Sequence, residues 1–155
     1  MALTQVQPQM LTGAPAFSAY QSVAQTGITA ATPTTITFTS VSYDTASCYN
    51  TSTSRFTPNV AGYYLVTAFV SFPDAGGTNG LATLIRKNNG TLTWGASSRG
   101  VNGQIYAGSL ASTIAYMNGT TDYLDVAGYF GTAGTGSTFA SSSQTNFSAC
   151  LLKAA

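Results

Sequence analysis

Catalysis on this chain has little to draw on. In 155 residues there is no histidine, and the four acidic side chains are all aspartates: Asp44, Asp74, Asp122 and Asp125. A histidine-based nucleophile triad and a histidine metal site are therefore excluded. Asp122 and Asp125 flank Tyr123 and Leu124 and form the one close carboxylate pair, whose chemistry would be general acid–base. Three residues apart on a strand, however, they point to opposite faces, which reads as a turn aspartate and a strand-edge aspartate. Calcium would need a dense oxygen cluster, and no aspartate-rich loop supplies one. The run Gly131-Thr132-Ala133-Gly134-Thr135-Gly136 is glycine-rich, but it lacks the lysine and following helix of a phosphate loop and reads as a plain loop. Cys48 and Cys150 read as two buried thiols. A disulfide between them would close a long loop worth ~4 kcal/mol, but a reducing site of synthesis weighs against it. No enzyme activity, metal or cofactor is expected.

The elements that would position any site are strands. Charged residues make up only 6% of the chain and the net charge is +1, against about 25% charged in ordinary soluble domains. Thr, Ser, Asn, Gln and 16 Gly fill the deficit, favouring strands and turns. No amphipathic helix of useful length is visible. The length allows one domain, able to bury roughly 70% of its unfolded surface. Arg55, Arg86, Lys87, Arg99 and Lys153 are scattered, which argues against a nucleic-acid partner, since binding phosphates needs clustered cations. No apolar run spans a bilayer, so no membrane insertion is expected.

Along the chain, residues 1–15 are expected to form an extended arm with Leu3, Val6, Met10 and Leu11 as apolar studs for another surface. The plainer alternative is a frayed terminus. Residues 16–155 form the domain. Thr34 to Val41 alternates as a half-buried strand, and Asp44 to Ser54 is a polar loop. Leu81 to Arg86 is a strand closed by Asn88-Asn89-Gly90, a hairpin signal. Trp94 follows that turn. Gly108 to Met117 is a strand closed by Asn118-Gly119, a second hairpin signal, and Tyr123 to Phe130 is another strand. Short strands at this spacing predict an all-β sandwich.

The stretch from Arg55 to Phe69 carries most information. Arg55-Phe56 is a strand, Thr57-Pro58-Asn59 a turn, and Gly62 onward a strand apolar on both faces. Tyr63 and Leu65 alternate with Tyr64 and Val66. A strand apolar on both sides must be covered on both, here by sandwich packing on one and a neighbouring subunit on the other.

The same stretch, Phe56-Thr57-Pro58 and then Gly62-Tyr63-Tyr64, resembles the globular-head domain of complement component one-q and its tumour-necrosis-factor-like relatives. Ala16-Phe17-Ser18-Ala19-Tyr20 is similar to that family's opening strand. Ile36-Thr37-Phe38, Val41 and Cys48-Tyr49-Asn50 resemble its second block, and Lys87-Asn88-Asn89-Gly90 its strand-and-turn motif. Ser137-Thr138-Phe139 and Phe147-Ser148-Ala149-Cys150-Leu151-Leu152 resemble its ending. The resemblance covers roughly residues 16 to 152 and implies a ten-strand jelly roll assembled as a compact homotrimer. Tyr64, Val66, Tyr123 and Tyr129 are then expected at the trimer interface. Tyr63, Tyr64, Tyr116, Tyr123 and Tyr129 could instead line a sugar-binding surface, though core or interface is the favoured reading.

Met1 to Met10 has neither a charged start nor a hydrophobic segment, so a secretory signal is not expected. The start Ala2-Leu3-Thr4, Val6, Gln9-Met10-Leu11 is similar to those of phage tail and capsid-surface proteins. The expected protein is a homotrimeric capsid decoration or cement protein on a bacteriophage virion, made in the host bacterial cytoplasm. Its partners would be itself and the major capsid protein or a tail component. The alternative is the receptor-binding tip of a tail fibre, recognising a host surface glycan or protein.

Overall fold

The computed structural model describes residues 14–73, 80–96, 106–131 and 135–155. Among them are thirteen strands. In chain order these are β1 Ala16–Tyr20, β2 Ile28–Thr29, β3 Thr34–Thr35, β4 Ser40–Asp44, β5 Tyr49–Asn50, β6 Arg55–Phe56, β7 Ala61–Pro73, β8 Leu81–Lys87, β9 Gly90–Trp94, β10 Tyr106–Asn118, β11 Leu124–Phe130, β12 Thr135–Gly136 and β13 Thr145–Ala154. Two antiparallel sheets face each other as a jelly-roll sandwich. The first has the order β10-β7-β13-β1-β4; the second has β5-β6-β11-β8-β9, with β3 also pairing to β11. β12 pairs separately with β2.

Aromatic packing holds the two sheets together. Phe17 stacks on Phe56 at 4.5 Å and on Tyr49 at 4.7 Å, and meets Phe147 edge-on at 4.8 Å. Phe17, Phe38, Phe56, Tyr64, Phe72 and Phe147 are fully buried, each contributing about 1.5–3 kcal/mol. β7 and β10 pair without a break from Ala61↔Asn118 to Pro73↔Tyr106. On the inner face β7 is large where β10 is small: Tyr64 lies opposite Ala115 and Phe72 opposite Ala107. The sandwich closes along one side where the Thr83 hydroxyl donates to the Ser109 carbonyl (2.7 Å) and the Thr83 amide to the Ser109 hydroxyl (2.9 Å).

The Asn88-Asn89 hairpin forms as expected: Lys87 pairs with Gly90, and both asparagines take positive φ (51° and 66°), the pairing of angles that suits a right-twisted two-residue turn. Asn118-Gly119 differs. It ends β10 in the first sheet, and the chain crosses to β11 in the second, so no hairpin forms. The Asn118 side-chain oxygen instead accepts from the amides of Thr120, Thr121 and Asp122, a local side-chain cap that competes with hairpin pairing.

Thr34 to Val41 is also not one strand. Ile36 and Phe38 are buried as the alternation predicts, but side chains take the backbone groups between β3 and β4. Gln25 Oε1 accepts from the Thr37 amide, Gln21 Nε2 donates to the Thr37 carbonyl, and the Ser54 hydroxyl accepts from the Phe38 amide. Of the glycine-rich run, Thr135–Gly136 is the short strand β12 rather than loop.

Candidate functional site

The aspartate pair is built into the framework and is no acid–base site. Asp122 sits at the crossing from β10 to β11. Its carboxylate accepts from the Asn118 amide (3.0 Å) and Asn88 Nδ2 (2.8 Å), and lies 2.7 Å from Lys87 Nζ. Those bonds, the lysine's first, hold its carboxyl below the usual carboxylate range. Asp125 is on β11, only 2% exposed, and takes a two-pronged contact from Arg86 on β8: Nε to Oδ1 at 2.7 Å and Nη2 to Oδ2 at 2.9 Å. Each carboxylate faces its own cation. Asp44, at the end of β4, caps the following loop by accepting from the amides of Ala46, Cys48 and Tyr49. Asp74 lies outside the described residues.

The two cysteines are free and differ in setting: Cys48 is buried and Cys150 exposed, so the expectation of two buried thiols holds for one. Burial pushes the Cys48 thiol up. A shallow cleft beside it is lined by Ser47, Tyr49, Asn50, Thr51 and Thr57. It contains no ionisable group apart from the thiol and the Tyr49 phenol, which burial raises to about 12.

The outer face of the first sheet exposes large apolar side chains. β7 alternates, as the sequence requires, but with the opposite parity to that expected. Tyr64 and Val66 point inward and are fully buried, which removes them from any contact with another subunit. The Tyr64 hydroxyl donates to the Val60 carbonyl, and burial raises that phenol to about 12. Their neighbours Tyr63 and Leu65 point outward instead. Register places them beside outward residues of β10: Tyr63 opposite Tyr116, Leu65 opposite Ile114, Phe69 opposite Leu110. Ile114 is 60% exposed, Leu110 55% and Tyr63 48%. The Tyr63 and Tyr116 rings meet edge-on at 5.4 Å. Gly108 on β10 leaves the space that the Phe69 ring fills. The sequence signal for this face was the both-sides-apolar strand; which side was outermost was not legible.

The other two tyrosines expected at an interface lie apart from that face. Tyr123 is half-buried beneath the Arg55 guanidinium, 3.9 Å from the ring centre. Tyr129 is on β11, pointing away from the main core with Ala82, Leu84 and Ala127, and meets Trp94 at 5.6 Å. Leu3, Val6, Met10 and Leu11 lie outside the described residues. The last two residues of the expected arm rest on the sandwich: the Ala14 carbonyl accepts from the Thr45 hydroxyl, and the Pro15 carbonyl from the Leu151 amide.

These features define an all-β jelly roll of the complement-one-q and tumour-necrosis-factor type, and solved structures share it. The globular domain of zebrafish complement 1qA protein aligns over 92% of this chain and 99% of its own, at 16% identity and TM-score 0.64. Murine APRIL at pH 8.0 aligns over 90% and 99%, at 12% identity and TM-score 0.69. Eiger TNF from S. frugiperda aligns over 92% and 94%, at 15% identity and TM-score 0.64. At these identities the likeness is one of fold. No protein-family model and no curated protein sequence matches the chain.

Proposed function

We propose that this chain is a non-enzymatic structural protein of a bacteriophage particle: a homotrimeric decoration or cement protein seated on the major capsid protein. The observation that supports it is the row of outward apolar residues on β7 and β10, namely Tyr63, Leu65, Phe69, Leu110, Ile114 and Tyr116. A face of that composition needs a cover, and further copies of the chain supply it at a closed, symmetric interface. Obligate interfaces bury upward of ~2,000 Å² and are apolar. Beyond it, the exposed surface is rich in hydroxyls and amides and poor in charge, which suits broad hydrogen-bonded seating on a shell. Residues 1–15 would fasten the trimer, with three copies acting by avidity.

A decoration protein stabilises the assembled shell by mass action, because it binds the shell and not loose subunits. Particles lacking it should assemble and adsorb to cells, but lose their genome at lower temperature or under osmotic shock. Particles that stay robust but fail to adsorb would reverse the assignment in favour of a tail-fibre tip. That second reading draws its support from an exposed aromatic pair on the other sheet.

A further inference from the structure

We infer that Trp94 and Tyr129, on the outer face of the second sheet, form a binding site for a neutral pyranose sugar. Trp94 ends β9 and is 53% exposed, unusual for the largest apolar side chain. It does not pack into the main core. It leans on Tyr129, with ring centres 5.6 Å apart and planes at 66°. Beneath them Ala82, Leu84 and Ala127 form a small buried cluster separate from the main core, so the two rings stand on a rigid sheet.

The chemistry around the pair selects the ligand. The ion pair on this face, Arg86 with Asp125, is closed on itself by the two-pronged contact, and the remaining Arg86 bond goes to the Thr35 hydroxyl. Among the described residues an anion therefore finds no free cation on this face and a cation no free carboxylate, so these residues favour an uncharged ligand. The Trp94 indole N–H and the Tyr129 hydroxyl make no hydrogen bond to any described residue, although such groups pair when they are meant to be buried. A flat ring face beside two unused polar groups matches a sugar, which has an apolar face of C–H bonds and a rim of hydroxyls. The angle between the rings makes a corner for one such unit. The pair lies on the sheet opposite the proposed self-association face, so it would stay open in an assembled trimer, three times over. The inference does not depend on whether the particle site is capsid or tail.

Trp94 is the chain's single tryptophan, so its fluorescence reports this site alone. Titrating the intact protein with cellohexaose, maltohexaose and chitohexaose should give a saturable emission shift with at least one of them. By calorimetry, Trp94→Ala should lose at least tenfold in affinity with unchanged circular dichroism, and Trp94→Phe should recover part of it. Tyr129→Ala should weaken the fluorescence response of Trp94. The inference fails if none of the three sugars shifts the emission. It also fails if Trp94→Ala binds as well as the parent, or if the emission changes only with protein concentration, which would mean that a second copy covers Trp94. Light scattering on the same samples separates the two proposals: a trimer that binds no sugar overturns only this one, and a monomer that binds sugar overturns only the assembly.

Discussion

Lys87, on the second sheet, places its ammonium 2.7 Å from the carboxylate of Asp122, in the crossover leaving the first. The same ammonium donates to the Tyr116 carbonyl on β10 at 2.7 Å. The Asn88 side chain bonds the aspartate and the Tyr123 amide together. One short cluster thus ties the β8–β9 hairpin to the end of β10, where the chain passes between sheets and no ladder can hold it.

Removing the aspartate leaves the Lys87 ammonium and the Asn118 amide without that partner. Asp122→Ala should lower stability by about 2 kcal/mol, read as a lower urea midpoint with unchanged slope. The carboxyl titrates below its ordinary value of 3.8 in the folded chain. Its contribution is therefore complete above that ordinary value and is lost as pH falls through the lower folded one. The parent should lose stability more steeply than Asp122→Asn below pH about 4. Parallel curves would remove the cluster's role.

Arg86 and Asp125 are more deeply placed, at 14% and 2% side-chain exposure. Arg86→Met leaves a buried carboxylate with no cation and should cost about 3 kcal/mol or more. Arg86→Met combined with Asp125→Leu should recover much of that loss, because no uncompensated charge remains. Urea unfolding of the four species checks it; additive losses would contradict the buried-pair account.

Gly119 and Gly27 both have φ of +74°, but only Gly119 is crowded. A Cβ there would strike the Ala61 amide nitrogen and lie 2.7 Å from the Val60 carbonyl carbon, both backbone atoms; at Gly27 it would meet nothing within 4 Å. Gly27→Ala should cost about 1 kcal/mol from conformation alone. Gly119→Ala should cost at least about 2 kcal/mol more, because backbone must move. Thermal melts of the two variants compare them directly.

Ile114 and Leu65 are opposite one another on the outer face and support no core packing. Ile114→Asp with Leu65→Asp should leave the fold intact and convert a trimer to monomer at micromolar concentration, read by light scattering. Tyr64→Ala should instead unfold or strongly destabilise the chain, by about 3–5 kcal/mol, because that ring is core. A parent that is already a folded monomer would remove the assembly argument.

The sequence by itself determined the class of fold. Period-two alternation, asparagine turns and the near absence of charge leave strands as the only way to bury this much apolar surface. The order of motifs from Ala16 to Leu152 matched a jelly roll. It also excluded histidine chemistry outright, since composition needs no coordinates. Tertiary structure decided what period two cannot. A one-residue shift exchanges the faces of a strand, so Tyr64 and Val66 read as well for the outside as Tyr63 and Leu65. Only the packing of the second sheet against one side of β7, as where Phe56 meets Tyr64, settles the parity. Asn118-Gly119 looks like a hairpin locally, because the turn residues are the same whether the next strand pairs alongside or crosses to the other sheet. The pairing of Asp125 with Arg86 joins residues 39 apart in sequence, and Trp94 meets Tyr129 only because β8 lies between their two strands. Contacts of that range are set by sheet order, which a single sequence carries only in sum.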